Sequence, residues 1–240
     1  MPGGSATDNG GVTPDARSLQ ADLERLAVSR GFPVDGGQVA RLLDYVRVVL
    51  DRGRAVNLTG ARTLETAVEV LAWTAVAVVK AWGRTDAPTV AADLGTGNGL
   101  PGVAAAIAWP SCRVLLVERR QKKARAVEAC AAAVHLENVE VLALDGREVL
   151  PRHPELKGAI DFVTVRAVGP LGETTGIVAP WLAPRGVVAH WKGAGLERAE
   201  VDAGLDAARE GGLVRLEGLE YADAFGPARI VRYGRPAGAR

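Results

Sequence analysis

The sequence contains little of what metal sites and disulfide-bonded frameworks require. Its 240 residues include two cysteines, Cys112 and Cys130, and three histidines, His135, His153 and His190. The cysteines do not form a C-x-x-C pair, and the histidines lack the spacing of metal ligands. We therefore predict two reduced thiols in the core and no metal.

Membrane and export signals are missing as well. The most apolar segment, residues 67–79, is too short to span a bilayer and contains Glu69. Residues 1–14 are mainly small and polar, and they lack the basic start and apolar run of a signal peptide. We predict a disordered leader over residues 1–14 and a cytoplasmic protein without membrane association.

Charge of one sign is not in excess either. Lys and Arg number 29 and Asp and Glu number 28, so the net charge is +1. Without a general positive field, binding of nucleic acid would depend on a local basic patch. Hydrophobic residues make up 48% of the chain, which is enough for the core of one large domain with a small helical addition.

Two different periodicities divide the chain. Residues 15–83 carry apolar residues at helical spacing, for example Leu19 and Leu23, and Thr63 is a candidate N-cap for a third helix over residues 64–82. From residue 88 onward, short apolar strands alternate with helices. We predict a helical subdomain over residues 15–83, followed by an α/β domain over residues 88–240.

The α/β domain is predicted to contain a doubly wound, mostly parallel, seven-stranded sheet, because strand–helix alternation with apolar strands indicates a sheet covered on both faces. The predicted strands cover residues 89–94, 113–118, 139–144, 162–165, 187–191, 213–221 and 230–233. The predicted helices of this domain cover residues 101–108, 122–133, 171–182 and 196–210.

The segment over residues 90–102 carries the main chemical signal. A predicted strand ends in Asp93, and glycines follow at every second position, Gly95, Gly97 and Gly99, before a helix begins. Ligands of such sheets bind beyond the carboxyl ends of the strands, and glycines let the backbone approach them closely. Glu118 ends the next strand, where a carboxylate can accept hydrogen bonds from both hydroxyls of a ribose.

Two cofactors fit this pattern. The spacing Gly97-x-Gly99-x-x-Gly102 formally matches the dinucleotide fingerprint. S-adenosylmethionine, in contrast, carries an ammonium group and a sulfonium but no phosphate. Asp93 at the strand end would attract the ammonium and repel a pyrophosphate, so we predict S-adenosylmethionine, with Asp93 as the partner of its ammonium. Asp145 follows the third strand, where it either accepts a hydrogen bond from the adenine amino group or serves as an ordinary helix N-cap.

Several ordered motifs resemble one known family, the bacterial 16S ribosomal RNA guanine-N7 methyltransferases, once called glucose-inhibited division protein B. The loop after the first strand, with its Leu-Pro-Gly ending at Gly102, is the most specific of them, and the resemblance runs from about residue 16 to residue 233. The other motifs are Asn57-Leu58-Thr59, Gln121-Lys122-Lys123, Leu136-Glu137-Asn138-Val139, Arg166-Ala167 and Lys192-Gly193.

The resemblance implies a class I methyltransferase with a Rossmann-like fold, S-adenosylmethionine as the cofactor, and 16S rRNA or the small ribosomal subunit as the partner of a monomer. Guanine N7 has a free lone pair, so its methylation needs no general base, and the rate depends on positioning. The cofactor-binding residues are predicted to be Asp93, Gly95, Thr96, Gly97, Gly99, Leu100, Glu118, Asp145 and Arg166. The predicted substrate-binding residues are Asn57, Trp73, Arg119, Lys122 and Lys123.

Arg166 and Lys192 are the predicted catalytic residues, because each ends a strand and side chains there point toward the ligand crevice. The basic run over residues 119–125 either binds phosphate or forms a solvated helix face, and both interpretations stay open. Trp191 is expected in the core.

The sequence departs from the family on the third helix. The family carries an Arg-His pair and an Asp-Ser pair there, whereas residues 70–75 of this chain read Val-Leu-Ala-Trp-Thr-Ala. Asp145 stands where the family has Arg, and Glu118 where it has Asp. Trp73, which could stack on a base, is the candidate for an altered substrate choice. The alternatives are a diverged relative that methylates a small molecule and a non-catalytic cofactor- or RNA-binding relative.

Overall fold

The computed structural model describes residues 16–29, 31–32, 34–223 and 226–236, so the predicted leader lies outside the described residues. Its centre is a seven-stranded sheet in the order β3-β2-β1-β4-β5-β7-β6. The strands are β1 Val90–Leu94, β2 Arg113–Val117, β3 Val139–Leu142, β4 Ile160–Arg166, β5 Leu182–Lys192, β6 Val214–Asp223 and β7 Gly226–Gly234.

The strand directions define where a ligand can bind. Strands β1 to β5 run parallel to one another, and β7 pairs antiparallel with both β5 and β6. The chain moves outward from β1 to β2 and β3 on one side, and to β4 and β5 on the other. The crevice at this switch point opens at the carboxyl ends of β1, β2 and β4. The predicted doubly wound, seven-stranded sheet is confirmed.

Helices cover both faces of the sheet. The longer helices are α1 Ala16–Ser29, α2 Gly36–Arg52, α6 Gly102–Ala108, α7 Gln121–Ala133, α9 Leu171–Val178 and α10 Arg198–Glu210. The short α-helices are α3 Leu64–Ala67, α4 Trp73–Ala75, α5 Val78–Trp82 and α8 Val149–Arg152. Short 3-10 helices occupy Gly53–Val56, Gly146–Glu148, Pro154–Leu156 and Ala179–Trp181.

The N-terminal helices pack on the same sheet face as α6 and α7. One buried cluster joins Leu23 of α1 and Val46 of α2 to Val127 of α7 and Phe162 of β4. A capping box of Asp35 and Gln38 fixes the start of α2. A second cluster packs α9 and α10 against the opposite face. The predicted helical subdomain therefore shares its hydrophobic core with the α/β part.

The third predicted helix is not continuous. Thr63 caps its start as predicted, since its side chain accepts from the Thr66 backbone N–H. A π-helical turn then occupies Val68–Ala72, before α4 and α5 continue toward Trp82. A π-turn shifts the i→i+4 pairing by one residue and leaves local carbonyls available. The Val70 carbonyl is used in this way, because it accepts a hydrogen bond from Arg166 Nη1 at 3.3 Å.

The helix predicted over residues 171–182 is too long. It ends at Val178, and Pro180 lies in the 3-10 helix Ala179–Trp181 that follows. A proline cannot donate the backbone hydrogen bond that would continue the helix. Leu182 instead begins β5, which is longer than the predicted strand over residues 187–191.

The two cysteines and Trp191 lie in the core, as the sequence predicted. Cys112 and Cys130 are free and buried, and Trp191 is buried too. Within the described ranges, no three His, Cys, Asp or Glu side chains are arranged to hold a metal ion. No helix in the described part of the chain has the length and apolar character to cross a membrane.

His190 is expected to make the stability of the fold depend on pH. It is fully buried in β5 between the hydroxyls of Thr174 and Thr175. Burial, assisted by the positive charge of Lys192, lowers its pKa from 6.5 to about 3. The unfolded chain therefore binds more protons between these values, and the stability that neutral His190 contributes is present above pH 6.5 and lost as the pH falls toward 3.

The free energy of unfolding is expected to fall by about 2 kcal/mol more in the wild type than in His190→Gln between pH 7 and pH 5. Urea unfolding of both proteins at several pH values measures this difference. Equal slopes for the two proteins would contradict the assignment to His190.

Candidate active site

The buried carboxylate of Asp93 accepts hydrogen bonds from the glycine-rich loop and from β4. Its Oδ2 accepts hydrogen bonds from Thr96 Oγ1 at 2.6 Å and the Gly102 backbone N at 3.2 Å. Its Oδ1 accepts from Thr164 Oγ1 at 2.6 Å. Burial raises the pKa of Asp93, and these hydrogen bonds and the charge of Arg166 oppose that rise. The carboxylate thus ties both ends of the loop to the end of β1.

This position differs from the one expected for a partner of the cofactor ammonium. Asp93 is 1% exposed, and its carboxylate is directed at the loop and at β4. Thr96 and Leu100 are buried with it. The structure therefore assigns these three residues to the support of the loop, whereas Gly95 and Gly97 line the cavity in front of it.

Tyr45 of α2 supports the same loop from the helical side. Its hydroxyl donates to the Asn98 carbonyl at 2.9 Å, and the side chain is fully buried. Burial raises the pKa of Tyr45 well above 10, so the phenol stays protonated and remains a donor. Gly99 leaves the room that this ring occupies, because a Cβ there would lie 2.0 Å from the Tyr45 hydroxyl oxygen.

Glu118 lies at the cavity, at the end of β2. Its Oε2 accepts from the Gly97 backbone N at 3.1 Å, and its Oε1 accepts from the Arg120 backbone N at 2.8 Å. The carboxylate is thereby fixed beside the loop, where it lines the cavity. This position agrees with the predicted role of a ribose acceptor.

A cavity of about 260 Å³ lies at the carboxyl edge of the sheet. Its lining includes the apolar side chains of Val117, Leu144 and Ile177, which suit contact with an adenine ring. The charged residues of the lining are Glu118, Arg119, Arg120, Lys123, Asp145, Arg147 and Glu173.

Asp145 is the N-cap that the sequence offered as one of its two roles, and it also lies on the cavity lining, so the adenine contact stays a prediction. It lines the cavity, and its Oδ1 accepts from the Arg147 backbone N at 3.0 Å, so it caps the 3-10 helix Gly146–Glu148. The Arg147 guanidinium lies 3.6 Å from the same carboxylate and forms an ion pair with Glu173. These charges connect β3 to α9 across the cavity.

The two predicted catalytic residues lie beside the cavity lining. Arg166 ends β4 and reaches the Val70 carbonyl of the π-helical turn. Lys192 ends β5 and donates to the Gly169 carbonyl at 2.8 Å and to Glu200 at 2.6 Å. Both side chains connect structural elements around the site.

The predicted substrate-binding residues are brought together only in part. Arg119 and Lys123 line the cavity, and Lys122 is exposed on the first turn of α7. Asn57 is exposed at the end of the 3-10 helix Gly53–Val56. Its φ of 52° lies in the left-handed region, which asparagine adopts more readily than most residues. Trp73 is half-buried and packs against the core of the helical part.

Sequence reasoning missed Tyr45, Thr164 and Arg147. Thr164 was detectable as a hydroxyl in an otherwise apolar strand, and it lies opposite Asp93 in the β1–β4 register. Tyr45 carried no local signal, because its partner lies 53 residues along the chain. Asn138 of the Leu-Glu-Asn-Val motif has a structural role, since its amide donates to the carbonyls of Ala106, Trp109 and Cys112.

The fold is the Rossmann-like fold of class I S-adenosylmethionine-dependent methyltransferases. Among solved structures, a SAM-dependent methyltransferase from Aquifex aeolicus is similar with a TM-score of 0.53 and 16% identity. The match covers 71% of this chain and 93% of that chain. At this identity the similarity concerns the fold, and it confirms the predicted fold class.

Sequence comparison shows the family. The family described as rRNA small subunit methyltransferase G matches residues 38–208. A relative from Sorangium cellulosum, named Ribosomal RNA small subunit methyltransferase G, is 37% identical over 177 residues, which are 74% of this chain and 72% of the relative. A relative of the same name from Chlorobium luteolum is 30% identical over 206 residues, which are 85% of this chain and 83% of the relative.

The chain belongs to the rRNA small subunit methyltransferase G family. The resemblance, the enzyme class and S-adenosylmethionine as the cofactor are thereby confirmed.

Proposed function

We propose that this chain transfers the methyl group of S-adenosylmethionine to N7 of a guanine in 16S rRNA. The observation that carries the proposal is the cavity at the carboxyl edge of the sheet, which joins the glycine-rich loop and Glu118 to the cations Arg119, Arg120 and Lys123. In a chain of this family, that combination supports a cofactor site next to a site for RNA phosphates.

The residues of the cavity fit the cofactor. Glu118 offers its carboxylate to the ribose, and the apolar side chains of Leu144 and Ile177 offer contact to the adenine. When bound there, S-adenosylmethionine supplies an electrophilic methyl group.

The protein contributes mainly by positioning. Guanine N7 carries a lone pair and no proton, so no side chain has to remove one. The cavity must hold the base in line with the methyl group and exclude water. Because the methylated base becomes cationic, bare positive charges next to N7 would oppose the reaction. Arg119, Arg120 and Lys123 at the cavity are therefore assigned to phosphates.

Arg166 and Lys192 are assigned as positioning residues. Arg166 connects β4 to the π-helical turn at Val70, and Lys192 connects the loop over residues 167–170 to Glu200 of α10. Ala167 and Val168 of that loop line the cavity. Each contact thus acts on the site through an adjacent segment.

Lys192→Met is expected to resemble Glu200→Gln. Both changes remove the 2.6 Å ion pair and loosen the loop over residues 167–170. We expect both variants to raise the Kd for S-adenosylmethionine by about 10-fold, which corresponds to about 1.4 kcal/mol, with kcat changed by less than about 3-fold. Calorimetry and single-turnover methyl transfer measure the two quantities. Loss of kcat in Lys192→Met alone would instead make Lys192 catalytic.

The alternative of a small-molecule substrate rests on the third helix, where polar residues of the family are replaced. Leu71 and Ala75 are buried in the core, 1% and 0% exposed. These two positions therefore belong to the packed core of this chain. The RNA substrate is favoured by membership of the rRNA small subunit methyltransferase G family.

The proposed reaction also determines the partners and the location. The substrate is 16S rRNA, free or in the small ribosomal subunit, and a bacterial cell keeps it in the cytoplasm. We propose that the enzyme acts as a monomer. Light scattering of the full chain tests this, and a mass of 25.0 kDa is the expected result.

The deciding experiment is transfer of labelled methyl from S-adenosylmethionine to small ribosomal subunits, and to naked 16S rRNA, from a strain that lacks the family enzyme. Strand cleavage specific for N7-methylguanine then locates the product. Label at one guanine N7 is expected with wild-type protein and not with Asp93→Ala. Cofactor binding without any label in rRNA would refute the proposal and redirect the search to small molecules.

A further inference from the structure

We propose that Arg52 and Arg54, at the end of α2, bind phosphates of the rRNA at a distance from the methylated guanine. This inference rests on the proposed function. Together with the exposed Arg119, Arg120, Lys122 and Arg125, they make up the set of cations that we call the basic strip.

Helix α7 carries the strip away from the cavity. Arg119 and Arg120 immediately precede it and line the cavity. Ala124, Val127 and Ala131 form its buried face. Lys122 and Arg125 are exposed and lie on the outward face, as does Ala129, because residues three, four and seven apart share one side of a helix. A helix of 13 residues is about 20 Å long.

The end of α2 meets this helix near its far end. Arg52 Nη1 donates to the Ala129 carbonyl of α7 at 3.5 Å. Burial raises the pKa of the Cys130 thiol in α7, and the nearby positive charge of Arg52 offsets part of that rise. Arg54 follows in the 3-10 helix Gly53–Val56 and is exposed.

The cations of the strip differ from other exposed arginines in their pairing. Within the described residues, none of the six has a carboxylate oxygen within ion-pair distance. On α10, in contrast, Arg198 pairs with Asp202 and Arg209 pairs with Asp206. Exposed guanidinium groups without a carboxylate partner keep their donors available for an external anion.

The length of the strip indicates the kind of anion. About 20 Å of surface corresponds to about six phosphates of one strand at 3.4 Å per phosphate. A nucleotide-sized ligand in the cavity would not reach Arg52 or Arg54. A phosphate backbone that leaves the cavity along α7 would, and the local charge would direct RNA to this face of a chain whose net charge is only +1.

The test compares the double variant Arg52→Gln/Arg54→Gln with Arg198→Gln/Arg209→Gln, which has the same net charge but lies on α10. We expect the first variant to bind 16S rRNA about 60-fold more weakly at 0.1 M salt, with a slope of log affinity against log salt that is smaller by about 2. Affinity for S-adenosylmethionine should be unchanged in both, and the α10 variant should bind RNA like the wild type. Arg54→Gln alone, which keeps the Arg52–Ala129 contact, should lose about 8-fold.

The outcomes separate this inference from the proposed function. If the wild type methylates 16S rRNA but the first variant keeps its RNA affinity and salt slope, Arg52 and Arg54 do not bind the RNA. This inference would then be wrong, and the proposed function would stand. Equal losses in both double variants would show an effect of net charge and would also overturn it. If the wild type neither binds nor methylates rRNA, both proposals fail.

Discussion

Asp93→Ala is expected to abolish measurable binding of S-adenosylmethionine and to lower the free energy of unfolding by about 3 kcal/mol. The change removes the acceptor for the Gly102 backbone N–H and for the hydroxyls of Thr96 and Thr164. A buried donor that loses its partner costs about 1–3 kcal/mol, although a hydroxyl can rotate to another acceptor. The loop that shapes the cavity would lose the contacts at both of its ends.

Thr164→Val is the matched control for this prediction. It removes one of the three donors to Asp93, and its side chain lies in β4, behind the loop. If Asp93 acts through the loop, Thr164→Val should weaken cofactor binding in part and cost about 1 kcal/mol. Calorimetric titration with S-adenosylmethionine and urea unfolding measure both effects. Full cofactor affinity in Thr164→Val, with none in Asp93→Ala, would favour direct contact between Asp93 and the ammonium.

Gly99→Ala is expected to cost about 4 kcal/mol of stability and to eliminate cofactor binding. The φ angle of Gly99 is 91°, outside the range that L-residues normally adopt, which costs about 1–2 kcal/mol. The added Cβ would lie 2.0 Å from the Tyr45 hydroxyl oxygen. That ring is buried in α2 and has little room to move, so overpacking adds about 1–3 kcal/mol.

Gly97→Ala separates backbone strain from the clash. Gly97 has a φ of 57°, but the nearest atom to its added Cβ is the Gly95 carbonyl oxygen at 3.8 Å. We expect a cost of about 1–2 kcal/mol from the backbone alone. Thermal unfolding of both variants, and of Gly99→Ala combined with Tyr45→Phe, measures the difference. Equal destabilisation by the two glycine substitutions would show that Tyr45 is not the obstacle.

The sequence predicted the sheet well because the central strands β1, β2 and β4 are mainly apolar segments between turns and helices. The predicted bounds of helices and strands were wrong where contacts in the folded chain overrode the local sequence pattern. Apolar spacing continues through Val68–Ala72, so the π-helical turn left no trace in the periodicity. β5 begins early because Leu182 pairs with Ile160 of β4, and the register then shifts before Val187 pairs with Phe162.

The sequence predicted which edge of the sheet carries the site, but it did not predict the direction of each side chain there. Glu118 and Asp145, which follow β2 and β3, line the cavity, and their contact with the cofactor stays a prediction. The argument from strand ends also applied to Asp93, Arg166 and Lys192, yet their side chains bind neighbouring protein groups. Strand position determines which edge of the sheet a residue reaches, whereas the side-chain direction depends on partners that are distant in sequence.

The sequence by itself determined the fold class, the cofactor and the family, because these depend on periodicity and on a loop motif whose residues are contiguous. The tertiary structure decided which charged groups face the cavity and which support it. It also decided that α2 supplies Tyr45 behind the loop and Arg52 beside α7. Such contacts join residues more than 50 positions apart, and a side chain's role there follows from burial and from the hydrogen-bond partners that folding brings within reach.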